Sequence, residues 1–208
     1  SQTYLSTAQN TKLGLNASSP LETSGQNILE YIRGVRTYEA PAGGATSAQP
    51  LRKRESIQGD IINSDIWYTG APSGAYALQG YSNFVRSQKS RVPMIYVGGN
   101  DGMLHGFSAV DGTEKIAYIP QGVIATLKDL ANPSYSHKYY VDGSPMTGDV
   151  ELGGVVSGGG TSFYQADWRT LLVGTLGNGG KGYFVLDVTN PAPGSSSSAP
   201  GFAELNAS

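Results

Sequence analysis

Cysteine is absent from all 208 residues, which excludes disulfides and thiolate metal sites within the chain. Charge is scarce. Fourteen basic and 16 acidic side chains leave a formal charge of −2, so the electrostatic footprint that nucleic acid or an anionic membrane requires is missing. No apolar run approaches the roughly 20 residues of a spanning helix. The chain shows neither an initiator Met nor a signal peptide, which reads as a processed or excised piece. Catalytic signatures are missing too. There is no G-x-S-x-G elbow, no D-x-[DN]-x-[DN]-G calcium loop and no carboxylate pair at a recognisable spacing. The expectation is a non-enzyme, with no catalytic, cofactor-binding or metal residue assigned.

What the chain has in quantity is glycine (29) and tyrosine (13), in a pattern of short apolar runs and turns. The organising stretch is Met94–Pro120. Met94–Val97 and Leu104–Val110 flank Asn100-Asp101-Gly102, residue types that tolerate positive φ, so a tight β-hairpin is expected. Asp111-Gly112 makes a second turn and Glu114–Ile119 a third strand, giving a three-stranded meander. The pattern returns 76 positions later: Leu171–Gly174 answers Ile95–Gly98, Gly182-Tyr183 answers Gly106-Phe107, and Asp187 answers Asp111. Gly59-Asp60-Ile61 precedes the first copy and Gly148-Asp149-Val150 the second. Recurrence at this scale marks a radially repeated β structure. The fold class is all-β with two short helices, a partial, quinoprotein-like β-propeller of about two blades; a β-sandwich is the competitor. Because propellers need about four to eight blades of roughly 40–50 residues, the missing blades are expected on a further stretch of the same gene product.

In chain order, residues 1–50 form an N-terminal segment. Ser1–Ser24 is polar without clear period and is expected to lie extended against a neighbour. Gln26–Arg33 has the spacing of a short amphipathic helix, with Ser24 as N-cap and Gly34 at its end, and Pro41–Pro50 reads as a flexible loop. Residues 51–191 hold the partial propeller. Leu51–Arg54 reads as a solvated basic loop with carboxylate partners, and Ile57–Thr69 as two extended pieces around Asn63-Ser64-Asp65. Residues 71–91 are a surface insertion. Gly122–Leu130 is helix-compatible, with Val123, Leu127 and Leu130 on one face. His137–Val141 reads as a strand, Pro145–Leu152 as extended, Gly153–Gly160 as a glycine-rich link, and Trp168–Thr175 with Tyr183–Thr189 as the second hairpin. Residues 192–208 form a low-complexity tail.

Several patterns invite chemistry and have plainer explanations. Gly177–Gly182 matches G-x-G-x-x-G, but a strand follows where a dinucleotide fold needs a helix. His105, close to Asp101, reads as a structural hydrogen bond rather than a catalytic base, and His137 likewise. Asp101, Asp142 and Asp149 each neighbour glycine and read as turn formers. Most aromatic rings should fill the space between blades, while Tyr76, Tyr81 and Phe84 in the insertion offer a partner surface.

Five ordered blocks carry a family resemblance: ILEYIRG, IQGDIINSDIWYTGAP, RVPMIYVGGNDGMLHGFSAVDGTEKIAYIP, HKYYVDGSPMTGDV and WRTLLVGTLGNGGKGYFVLDVTNP. Together they resemble the C-terminal propeller of PilC/PilY-type tip adhesins of type IV pili. The resemblance implies a large secreted protein at the pilus tip or outer-membrane surface, exported through the periplasm. It implies a role in adhesion to host or abiotic surfaces and in pilus assembly with minor pilins. Calcium binding belongs to the family's EF-hand-like loop, which matches no residue here, so Ca²⁺ is expected only in the full-length protein. Two other readings compete. Tyr96–Gly112 is also similar to the blade repeat of quinoprotein (PQQ-type) dehydrogenases, and a pure scaffold that docks a minor pilin by strand addition is the third.

Overall fold

The β-rich runs separate as their side-chain alternation requires. In a computed structural model, residues 6–14, 25–158, 160–191 and 203–204 are described. The first repeat forms a four-stranded antiparallel sheet: β1 (Trp67–Thr69), β2 (Met94–Gly98), β3 (Leu104–Ser108) and β4 (Glu114–Tyr118), paired in that order. The second uses β5 (Met146–Glu151), β8 (Trp168–Thr175), β9 (Tyr183–Asp187) and β10 (Ala203–Glu204), in the order β5-β8-β9-β10. Between β5 and β8, β6 (Gly154–Gly158) and β7 (Thr161–Gln165) pair only with each other among the described residues. Two separate sheets, neither closed into a ring, are two blades of a partial propeller.

One face of each sheet is buried. Tyr96, Gly106 and Ile116 stand in register across blade one, and Leu172 and Leu186 across blade two. Both rows join a single apolar core, in which Tyr118 packs against Phe184 with ring centroids 5.2 Å apart. The inner strands meet through polar groups: Trp67 Nε1 donates to Thr147 Oγ1 at 2.9 Å, and the hydroxyls of Thr69 and Thr147 lie 2.9 Å apart. Helix α2 (Gly25–Ile32) adds Ile28, Leu29, Tyr31 and Ile32 to the same core, so packing runs unbroken across residue 50.

Glycine has a steric role at two points of the first hairpin. Gly102 closes the turn at φ +92°, while Asn100 and Asp101 stay at negative φ. A Cβ on Gly98 would lie 2.3 Å from the Val141 carbonyl oxygen, so the chain entering blade two can approach only a glycine. The turn itself spans 99–103, closed by Gly99 N–H to the Met103 carbonyl (2.9 Å), and is wider than the tight hairpin expected.

The structure corrects further expectations. Residues 7–13 form helix α1 (Thr7–Leu13) rather than an extended segment; Ser6 and Gln9 close a capping box. Ser24 lies outside the described residues, as does the tail apart from β10. The insertion contains a third helix, α3 (Tyr81–Ser87). Gly122–Leu130 forms 3₁₀ turns at Gln121–Val123 and Leu127–Ala131, although Val123, Leu127 and Leu130 are all buried as expected. His137–Val141 is not a strand, the glycine-rich link is the arm of a hairpin, and of Ile57–Thr69 only β1 is a strand. The basic run is solvated only in part: Lys53 is exposed, while Arg54 is buried on the carboxylate partner expected of it. Leu51 is fully buried. Arg54 pairs with Glu39 at 2.7 Å, donates to the Tyr31 carbonyl and lies over the Tyr31 ring.

The repeat also needs re-registering. Tyr96 pairs with Gly106 and Leu172 with Leu186, so the second strand of the hairpin recurs at 80 residues, not 76. Leu186, rather than Gly182, stands where Gly106 does. The two Gly-Asp pairs are not equivalent either, since Asp149 is mid-strand in β5 while Asp60 lies in a loop.

Candidate functional site

Polar side chains that sequence reading placed in turns also tie segments together. The strap of residues 57–66 crosses both blades without regular structure beyond its end at β1. Asp101 accepts the Gly59 N–H (2.8 Å), and the Ser64 hydroxyl accepts the Gly98 N–H (2.9 Å). Asp142 accepts Asn63 Nδ2 (2.7 Å), and Ser144 accepts the Asp65 N–H (2.9 Å). His137 Nε2 lies 2.8 Å from Asp60. With its polar atoms turned inward, the strap leaves Ile61, Ile62 and Ile66 exposed.

His105 is buried in β3. Nε2 lies 3.1 Å from both Asp101 oxygens, and Nδ1 lies 2.6 Å from Glu114. Burial opposes a charge on the ring. The hydrogen bonds and charges of Asp101 and Glu114 outweigh it and raise the pKa from 6.5 to about 9. Both ring nitrogens are committed to carboxylates, which is the structural role expected. A cavity of about 420 Å³ lies beside it, lined by Ile32, Ile57 and Phe107 among others.

The third cluster joins the insertion to blade two. Tyr81 and Phe84, from α3, are 3% and 8% exposed and pack on Trp168 at the start of β8. Two of the three residues expected on a partner surface are therefore a satellite core. Their aromatic faces are spent on Trp168, and only Tyr76, 48% exposed while stacked on Trp168, keeps an open side. The Tyr81 hydroxyl donates to Asp149 (2.7 Å) and accepts the Gly74 N–H (2.9 Å). Desolvation, reinforced by Asp149, pushes the Tyr81 pKa up to about 12. Asp149 also accepts the Thr170 hydroxyl, which Arg91 Nη1 contacts at 2.6 Å. Asp149 thus acts as an anchor between insertion and blade rather than as a turn former.

Gly177–Gly182 opens with a 3₁₀ turn at Gly177–Gly179 and leads into β9, as a hairpin connection does. Among the described residues no three His, Asp or Glu side chains gather to hold a metal ion, and no helix is long and apolar enough to cross a membrane. Sequence reading missed the β6–β7 hairpin and the surface it builds with α3. The signal was Val155-Val156 and Phe163-Tyr164 flanking a glycine run.

Residues 58–206, which hold both blades, match the model of the PilY1 beta-propeller domain. A Xylella fastidiosa (strain Temecula1 / ATCC 700964) protein, "Type IV pilus biogenesis factor PilY1 homolog", is 40% identical over 192 residues, covering 88% of this chain and 14% of its own length. "Type IV pilus biogenesis factor PilY1" of Pseudomonas aeruginosa (strain PAK) is 41% identical over 181 residues, 82% of this chain and 14% of that protein. A solved structure, the Pseudomonas aeruginosa PilY1 C-terminal domain, is 39% identical over 60% of this chain and 23% of its own, with a TM-score of 0.38. The chain spans about a seventh of the length of these curated relatives.

Proposed function

Because the chain belongs to the PilY1 β-propeller family, we propose that it is a two-blade part of a type IV pilus biogenesis factor, a non-catalytic module for assembly and adhesion. The observation that carries this reading is the family match over residues 58–206, which spans both blades. In this reading the sheets supply rigidity and the expanded connections present surface. The module works at the pilus tip or outer-membrane surface with minor pilins, and any Ca²⁺ is held elsewhere in the full-length protein. A second mode, docking of a minor pilin by strand addition, is favoured by the β6–β7 hairpin, whose strands, among the described residues, pair with neither blade.

Replacing residues 58–206 by a flexible linker in the complete gene product tests the reading. Surface pili, twitching and co-purification of minor pilins are expected to fall together. Normal piliation and unchanged co-purification would contradict it.

A further inference from the structure

The connection that leaves the first strand is expanded in both blades, by α3 after β1 and by β6–β7 after β5. The two expansions meet. Trp168 Nε1 donates to the Gln79 carbonyl (2.9 Å), and Gln79 Nε2 reaches the Tyr164 carbonyl (3.4 Å). Between α3 and β7 they leave an open cleft of about 650 Å³. Asn83, Gln88 and Gln165 line it, and none of their side-chain amides has a hydrogen-bond partner among the described residues. Phe163 leaves β7 on the same face as Gln165, two residues away, and is 58% exposed. The charges at the cleft, Arg169 and Asp167, are paired at 2.6 Å.

We propose that this cleft binds a neutral oligosaccharide. Each primary amide offers two donors and one acceptor, which suits vicinal hydroxyls that both donate and accept. An open phenyl ring presents a negative face to the slightly positive C–H edges of a pyranose. Arg169 is shared between Asp167 and, at 2.8 Å, Asp187, so no cation is left over for a sulfated or phosphorylated ligand. The volume falls within the roughly 300–1,000 Å³ of ordinary ligand clefts and suits several sugar rings. The inference deepens the adhesion part of the proposed function and rests on it for its biological use.

The complete gene product is titrated with neutral trisaccharides ending in galactose, glucose or N-acetylglucosamine. A sulfated trisaccharide and an uncharged extended peptide form the comparison arms. At least one neutral sugar is expected to bind saturably, with a Kd at or below about 1 mM. Phe163→Ala and Gln165→Ala are expected to weaken it about tenfold each, with circular dichroism and Tm unchanged because both side chains are exposed. Absence of sugar binding at millimolar concentration, binding that both variants leave intact, or binding of the peptide or sulfated sugar alone would overturn the proposal. Piliation of the same variant strains separates the two readings. Lost sugar binding with normal pili leaves the assembly role standing. Sugar binding by the wild-type protein, together with normal pili in the strain whose residues 58–206 are replaced, sinks assembly and not the cleft.

Discussion

The outer faces of the two blades, built on one ladder, are finished differently. On blade one, Val97 pairs with His105 and Ile95 with Phe107. His105 is held by Asp101 and Glu114, and Ile32 of α2 and Ile57 of the strap line the cavity beside it. On blade two the matching row is Met146, Val173 and Val185, in register across three strands, with Met146 and Val173 exposed. Where blade one has a histidine, blade two has Val185. The difference teaches that one blade face is closed within this chain, by a polar staple and a strap, while the other is left apolar. In a radial fold an apolar blade face is where a further blade packs.

Neighbouring residues in β8 give the sharpest contrast. Leu172 points into the shared core and Val173 to the open face, so Leu172→Ala should cost about 3–4 kcal/mol in chemical denaturation. Val173→Ala should cost under about 1 kcal/mol. Equal losses would mean that the open face is covered within the chain. The staple of blade one should show in pH. The folded pKa of His105, about 9, lies above its ordinary 6.5, so its contribution is complete below about pH 6.5 and fades as pH rises through 9. The loss should reach up to about 3 kcal/mol and should flatten in His105→Val, which imports the residue of blade two. A pH-independent wild type would remove the staple from the account.

The clasp between insertion and blade should matter less. Tyr81→Phe deletes the hydrogen bond to Asp149 and should cost about 1 kcal/mol, seen as a lower denaturation midpoint with unchanged slope. Val173→Lys should change stability least of all, by under about 0.5 kcal/mol. It should nevertheless abolish packing of any further blade on that face, read as exposed apolar surface by dye binding in the complete gene product.

The blades were legible because alternation and turns act locally: β2, β3, β4, β8 and β9 all stand where period-two runs and Asp-Gly or glycine turns put them. The match at 76 residues found the first strand of each hairpin and misplaced the second, because coincident glycines in a longer turn align better than Gly106 and Leu186 do. Helix α1 was also written locally, in the Ser6-x-x-Gln9 box, but in a segment too polar to show a period. Buried Arg54 and half-buried Asp149 were not legible. Their partners, Glu39 and Tyr81, are distant in sequence, and only the fold brings each carboxylate to its donor. The same holds for Tyr81 and Phe84, whose burial depends on Trp168 of the other blade.

The central claim is that β1 and β5 lie side by side as inner strands of adjacent blades. The chain is free of cysteine, so Thr69→Cys with Thr147→Cys places a single thiol pair where the two hydroxyls touch at 2.9 Å. The account predicts rapid, intramolecular disulfide formation under mild oxidation of the folded protein. Thiols that stay reduced, or that link only between molecules, would contradict it.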